Sequence, residues 1–110
     1  MIVAVTGGRD FGDIERVRRV LYNLDPKPTL LIHGAASGAD VLAAQVAAEL
    51  GIPTEAHPAD WERHKRAAGP IRNAEMVARR PDLLLAFPGG KGTANMTRQA
   101  IAAGIQVKQV

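Results

Sequence analysis

Cysteine is missing from this chain of 110 residues, which excludes a disulfide framework and a cysteine metal site and fits a reducing cytoplasm. Aromatic residues are nearly as scarce, the whole set being Phe11, Tyr22, Trp61 and Phe87. A core for a chain that is 46% hydrophobic must therefore be built from Val, Leu, Ile and Ala, the palette of a sheet covered by helices. No apolar run reaches the roughly 18 residues of a membrane span. The opening Met1-Ile2-Val3-Ala4-Val5 also lacks the basic flank and longer apolar region of a signal peptide. The expectation is a cytoplasmic protein with no membrane contact. Charge is not concentrated either. The net charge is +3, and only Arg16, Arg18 and Arg19, then Arg63, Lys65 and Arg66, cluster at all. That reads as a mildly basic solvated surface rather than a nucleic-acid footprint. His33, His57 and His64 show no His-x-x-x-His spacing, so no metal site is expected.

What is present is an alternation of short β-branched or leucine-rich runs with amphipathic stretches, the pattern of a parallel sheet with crossover helices. Strands are expected at Ile2 to Thr6, Thr29 to His33, Pro53 to His57, Asp82 to Phe87 and Ile105 to Gln109. A first helix spans Asp13 to Leu24, with Ile14, Val17, Val20, Leu21 and Leu24 on one face and Asp13 as cap. Ser37-Gly38-Ala39-Asp40 has the spacing of a capping box ahead of an Ala-rich helix that ends at Leu50 and is expected to be well buried. Its composition suits a homodimer face and burial under the sheet equally. Between Ala59 and Arg80, a helical turn near Asp60 to Lys65, a break at Gly69-Pro70 and a helix from Ile71 to Arg79 are expected. The last helix, Ala94 to Ala103, points Met96, Ala100, Ile101 and Ala103 inward. The fold class is thus α/β: a single Rossmann-like domain over residues 1–110, with a doubly wound parallel five-stranded sheet in order 3-2-1-4-5.

In such a sheet, ligands sit beyond the carboxyl ends of the strands, near the point where strand order reverses. That edge is glycine-rich three times. Thr6-Gly7-Gly8-Arg9-Asp10-Phe11 follows the first strand, Gly34-Ala35-Ala36-Ser37-Gly38 the second, and Pro88-Gly89-Gly90-Lys91-Gly92-Thr93 the fourth. The last reads as a phosphate cradle, because glycine backbone N–H groups and the Thr93 hydroxyl can approach an anion at the start of a helix. Neither G-x-G-x-x-G nor G-x-x-x-x-G-K-[ST] is present, so a nicotinamide dehydrogenase and a P-loop NTPase are both disfavoured, and no cofactor is expected. Arg9 can grip phosphate or pair with Asp10 or Asp13. Lys91 can touch phosphate or face solvent. Trp61 can stack on a base, though packing is the commoner use of a lone tryptophan. Asp40 reads as a helix-start carboxylate rather than a catalyst.

Over nearly its whole length the chain resembles the YspA-like (cpYpsA-related) branch of the SLOG superfamily, a Rossmann-like group that includes the LOG phosphoribohydrolases and the DprA/Smf proteins. The matching blocks are Gly7-Gly8-Arg9-Asp10-Phe11, His33-Gly34-Ala35 with Gly38-Ala39-Asp40, Ala59-Asp60-Trp61, Ala68-Gly69-Pro70-Ile71-Arg72-Asn73 and Ala86-Phe87-Pro88-Gly89-Gly90-Lys91-Gly92-Thr93. The resemblance implies a nucleotide-related or ADP-ribose-like ligand at the PGG-x-GT loop and a role in binding or sensing. The implied ligand contacts are Gly7, Gly8, Arg9, Gly34, Ser37, Arg72, Asn73, Pro88, Gly89, Gly90, Lys91, Gly92 and Thr93.

Departures from the LOG pattern bear on activity. That pattern continues PGG-x-GT-x-x-E, and its acid assists cleavage of an N-glycosidic bond, but Met96 occupies the position here. Losing a general acid or base typically removes ~10²- to 10⁴-fold of rate. Asn73 stands where LOG enzymes have lysine, and Ser37 where YspA-like chains usually carry arginine. The expectation is a binding module. The alternative is a phosphoribohydrolase in which Glu75 or Asp60 substitutes for the missing acid, and the third reading is single-stranded DNA binding of the DprA kind.

Overall fold

Alternation along the strands decides which face of the sheet each apolar residue serves. In the computed structural model, which describes residues 1–110, β1 (Ile2–Thr6) sends Val3 and Val5 to one apolar layer and Ala4 to the other. β2 (Leu30–His33) divides Leu31 from Ile32 in the same way, and β4 (Leu83–Ala86) divides Leu83 and Leu85 from Leu84. Strands buried on both faces read as unbroken hydrophobic runs, which is why these three stand out in the sequence. The sheet is parallel throughout, in the order β3-β2-β1-β4-β5. The edge strands β3 (Thr54–Ala56) and β5 (Gln106–Gln109) are short and largely polar, as strands with one unpaired side tend to be.

Helices α1 (Ile14–Tyr22) and α2 (Ala39–Glu49) cover the first layer through Val17, Leu21, Ala43, Val46 and Ala47. On the opposite side, α4 (Ala68–Ala78) and α5 (Lys91–Ala102) contribute Met76, Met96 and Ala100. A short α3 (Trp61–His64) and a 3-10 turn over Lys65–Ala67 lead into α4. Asp13 caps α1 as the sequence suggests, its Oδ1 accepting from Arg16 N at 3.1 Å. No helix is long and apolar enough to cross a membrane.

Four local expectations are corrected. Ser37 and Asp40 do not form a capping box: Gly38 is the N-cap of α2 and makes no side-chain bond, while Asp40 folds inward. α2 is buried along one face only, with Val41 53% exposed, because one layer of sheet can cover only one side of a helix. Gly69-Pro70 does not break the chain. Both residues lie in the first turn of α4, where a proline's missing N–H has no carbonyl to meet. α5 begins at Lys91, ahead of the expected Ala94, and Ile101 is 62% exposed instead of inward. Met96, Ala100 and Ala103 follow the i, i+4, i+7 stripe, whereas Ile101 is one residue past it and turned about 100° away.

Candidate functional site

The three glycine-rich loops meet at the carboxyl edge of the sheet because β2, β1 and β4 are adjacent. Their backbones are bonded to one another: Gly8 N donates to Pro88 O at 2.8 Å, and Ala39 N donates to Gly8 O at 3.1 Å. Together with α4 and the start of α5 they enclose a cavity of about 880 Å³, within the roughly 300 to 1,000 Å³ of small-molecule sites. Its lining carries five cations, Arg9, Arg66, Arg72, Lys91 and Arg98, against two carboxylates, Asp10 and Asp40.

One wall is the N-terminus of α5. Gly90 is its N-cap, no side chain caps the helix, and the first intrahelical bond is Ala94 N to Gly90 O at 3.0 Å. The N–H groups of Lys91, Gly92 and Thr93 therefore find no intrahelical acceptor, and the helix dipole adds partial positive charge at the same place. The Thr93 side chain is half-buried beside Gly89 and also lines the cavity. Gly92 and Thr93 thus lie inside the first helical turn, not in a loop before it.

The floor is polar and largely closed to solvent. Asp40 is 6% exposed, and its Oδ2 accepts from Gly34 N at 3.2 Å and Ala36 N at 3.3 Å. Burial raises its pKa to about 6, against the smaller opposing pull of those backbone bonds and of Arg72. Arg72 lies on α4, inside the helix expected from Ile71. Its Nη1 donates to Gly34 O at 2.5 Å and its Nε to Asn73 Oδ1 at 3.0 Å, and burial lowers its pKa while Asp40 opposes that shift. Asn73 is buried and ties α4 to α5, its Nδ2 donating to Gly92 O at 3.3 Å and Asn95 Oδ1 at 3.1 Å.

Of the residues the sequence singles out, Gly7, Gly8, Arg9, Gly34, Arg72, Asn73, Pro88, Gly89, Gly90, Lys91, Gly92 and Thr93 all line this one cavity. Ser37 does not. It is exposed and borders a shallow neighbouring cleft with Arg9 and Trp61. The two candidate acids are also elsewhere: Asp60 caps α3 by accepting from Arg63 N at 3.1 Å, and Glu75 is exposed beside His57. Met96 is fully buried in the layer beneath α5 and does not line the cavity. Trp61 stands at the rim, 48% exposed, with the Arg9 guanidinium 5.2 Å from its ring centre. His33 is a buried group whose Nδ1 accepts from Ala35 N at 3.0 Å, and burial lowers its pKa. No group of three or more His, Asp or Glu is placed to hold a metal ion.

Sequence reasoning missed Arg66, Arg98 and Asp40. Arg98 was within reach, since Lys91, Asn95 and Arg98 form an i, i+4, i+7 face once α5 is started at Lys91. Asp40 carries no local signal, because its Ser-Gly-Ala-Asp setting fits a capping box equally well.

Comparison with known proteins agrees with this architecture. A family model described as "YAcAr: YspA, cpYpsA-related SLOG family" matches residues 1–64. A curated relative, the Gene 61 protein of Mycobacterium phage D29, is 38% identical over 115 aligned residues, covering 96% of this chain and 92% of that protein. Among solved structures, DNA processing protein A (DprA) from Streptococcus pneumoniae superposes with a TM-score of 0.78 at 18% identity, over 97% of this chain. This chain spans 49% of that DprA chain, and at such identity the likeness concerns the fold.

Proposed function

The chain belongs to the YspA, cpYpsA-related SLOG family, and from that premise we propose that it binds a nucleotide-related phosphorylated small molecule and acts as a binding or sensing module. The observation that carries the reading is the excess of cations, five against two carboxylates, around an uncapped helix N-terminus in a cavity of nucleotide size. Backbone N–H groups of Lys91 and Gly92, with the Thr93 N–H and hydroxyl, receive the phosphate. Arg72, in the cavity floor, supplies a charged donor. Trp61 at the rim offers a face for a base. Binding is favoured over the N-glycosidic cleavage that Glu75 or Asp60 would serve, because both lie off the cavity and Met96 holds no proton; the carboxyls that do line it are Asp10 and Asp40.

Native mass spectrometry of protein purified from cells tests the reading directly, with a retained phosphorylated molecule as the expected result. Calorimetric titration with AMP and ADP-ribose supplies the energetics. A charge-assisted hydrogen bond contributes about 1.5 to 3 kcal/mol, so Arg72→Ala is expected to weaken binding roughly 10- to 150-fold. Stability is also expected to fall, by about 1 to 3 kcal/mol, because the substitution leaves the buried Gly34 carbonyl without its donor. Normal affinity in the folded fraction of that variant would confine Arg72 to a structural role. Thr93→Val removes a hydroxyl at nearly constant volume. Its expected loss is about 2- to 10-fold in affinity with an unchanged melting temperature, and a large melting shift would mark the hydroxyl as structural.

A further inference from the structure

We propose that Asn95 is a ligand-binding residue of this cavity, donating through Nδ2 to an acceptor oxygen, and that Asn73 touches no ligand but presets Asn95 and Arg72 together as a positioning residue. This rests on the phosphate reading of the same cavity and moves the amide contact from α4 to α5.

A chain of side-chain hydrogen bonds crosses from α4 to α5. Arg72 Nε donates to Asn73 Oδ1 at 3.0 Å, and Asn73 Nδ2 donates to Gly92 O at 3.3 Å and to Asn95 Oδ1 at 3.1 Å. Gln99 Nε2 donates to the same Asn95 Oδ1 at 2.8 Å and to Pro70 O at 3.1 Å. The ends of the chain fix its direction. A guanidinium only donates and a carbonyl only accepts, so Asn73 must turn Oδ1 to Arg72 and Nδ2 to Gly92. Asn95 Oδ1 is then the acceptor for two amides, and Asn95 Nδ2 is left with two hydrogens and no partner in the protein. Asp40 Oδ1 is the one buried side-chain polar atom without a partner, so the unpaired Asn95 Nδ2 is open to solvent, and Asn95 lines the cavity. A ligand can reach it.

Asn73 is placed to hold other groups and not to bind. It is 4% exposed, and both Nδ2 hydrogens are taken by Gly92 O and Asn95 Oδ1. One buried amide thereby holds Arg72, Asn95 and the first turn of α5. A lysine at this position, as in the LOG pattern, could not accept from Arg72 Nε. Arg72 keeps Nη2 uncommitted, its Nη1 and Nε being bonded to Gly34 O and Asn73 Oδ1. The free groups that Asn73 presets are thus one charged and one neutral donor. An ammonium group finds no acceptor in that pair, whereas phosphate oxygens accept from both.

Inorganic phosphate titrated into isotope-labelled protein and followed by NMR tests this without any assumption about the rest of the ligand. The Asn95 side-chain N–H signals are expected to shift together with the backbone N–H signals of Gly92 and Thr93, at one common dissociation constant. The Asn73 pair is expected to stay in slow exchange with solvent throughout. Asn95→Ala should weaken phosphate about 2- to 12-fold, the worth of a neutral hydrogen bond. Asn95→Asp should cost more, because it keeps an oxygen for Asn73 and Gln99 but turns a negative charge toward the ligand. In an Asn73→Ala background, Asn95→Ala is expected to cost less than about 2-fold, since Asn95 is no longer held there. If its full cost persists, Asn73 does not act through Asn95 and the positioning role is wrong. If Gly92 and Thr93 shift while the Asn95 pair stays still, or the Asn73 pair shifts in its place, the assignment is overturned and the phosphate cradle stands. If no signal moves, the cradle itself is wrong and the Asn95 contact falls with it. The titration needs only the unaltered protein, so misfolding of Asn73→Ala would not protect the proposal.

Discussion

Gly38→Ala is expected to lower the stability of the domain by about 3 kcal/mol or more and to disassemble the cavity. Gly38 has φ +76° and ψ −125°, a conformation that side-chain-bearing residues avoid, at a cost on the order of 1 to 3 kcal/mol. The surroundings make this worse. A Cβ there would run into the carbonyl oxygens of Gly8 and Arg9, which belong to the backbone of the β1–α1 loop and cannot rotate away as a side chain would. That loop is itself pinned, since Gly8 N donates to Pro88 O and Gly8 O accepts from Ala39 N. Movement at Gly38 therefore spreads to all three loops. Gly51→Ala is the matched control, because φ is +72° there and nothing lies within 4 Å of the added methyl. It is expected to lose only about 1 kcal/mol, the conformational part alone. Urea denaturation of both variants separates the two contributions, and equal losses would show that loop contact at Gly38 contributes nothing.

At pH 7 to 8, Asp40→Asn is expected to stabilise the protein in the absence of ligand, by up to about 3 kcal/mol. The folded-state pKa is about 6 and the ordinary value is 3.8, and one pKa unit corresponds to about 1.4 kcal/mol. Because the folded value is the higher, the folded protein holds more protons than the unfolded chain between about pH 4 and pH 6. The contribution of Asp40 is fully present below about pH 4 and is lost as pH rises through about 6. Asparagine cannot ionise, so its advantage should vanish near pH 4, grow between pH 4 and 6 and level off above. Thermal melts across that range check the sign. A variant less stable than the parent at pH 8 would mean that the ionised carboxylate is better satisfied than its geometry indicates.

Much of the architecture was legible because it depends on short-range pattern. The unbroken apolar runs of β1, β2 and β4 announce strands buried on both faces, and the i, i+4 stripes of α1 and α5 announce which residues meet them. Right-handed crossovers then leave few strand orders open, and the glycine-rich segments fall on one edge as a consequence. The glycine-rich turn ahead of α5 was readable for the same reason: glycine, lysine and threonine at that spacing after a buried strand mark a strand-to-helix turn.

Local sequence by itself determined the strands and the glycine-rich segments, since each rests on backbone freedom or on a periodicity confined to one element, and the right-handed crossover rule narrowed the strand order. Only the tertiary structure decided how the rim is built. α5 starts at Lys91 despite the poor helix propensity of Gly92, because packing of Met96 and Ala100 outweighs about 1 kcal/mol of backbone entropy. Pro70 opens α4 instead of breaking the chain, because the first turn of a helix requires no N–H from it. Asp40 stays in the first turn of α2 but turns its carboxylate onto Gly34 N and Ala36 N, and Arg72 reaches from α4 to the carbonyl of Gly34. These placements depend on the burial of charge beside backbone groups contributed by distant segments, and no window of neighbouring residues records that environment.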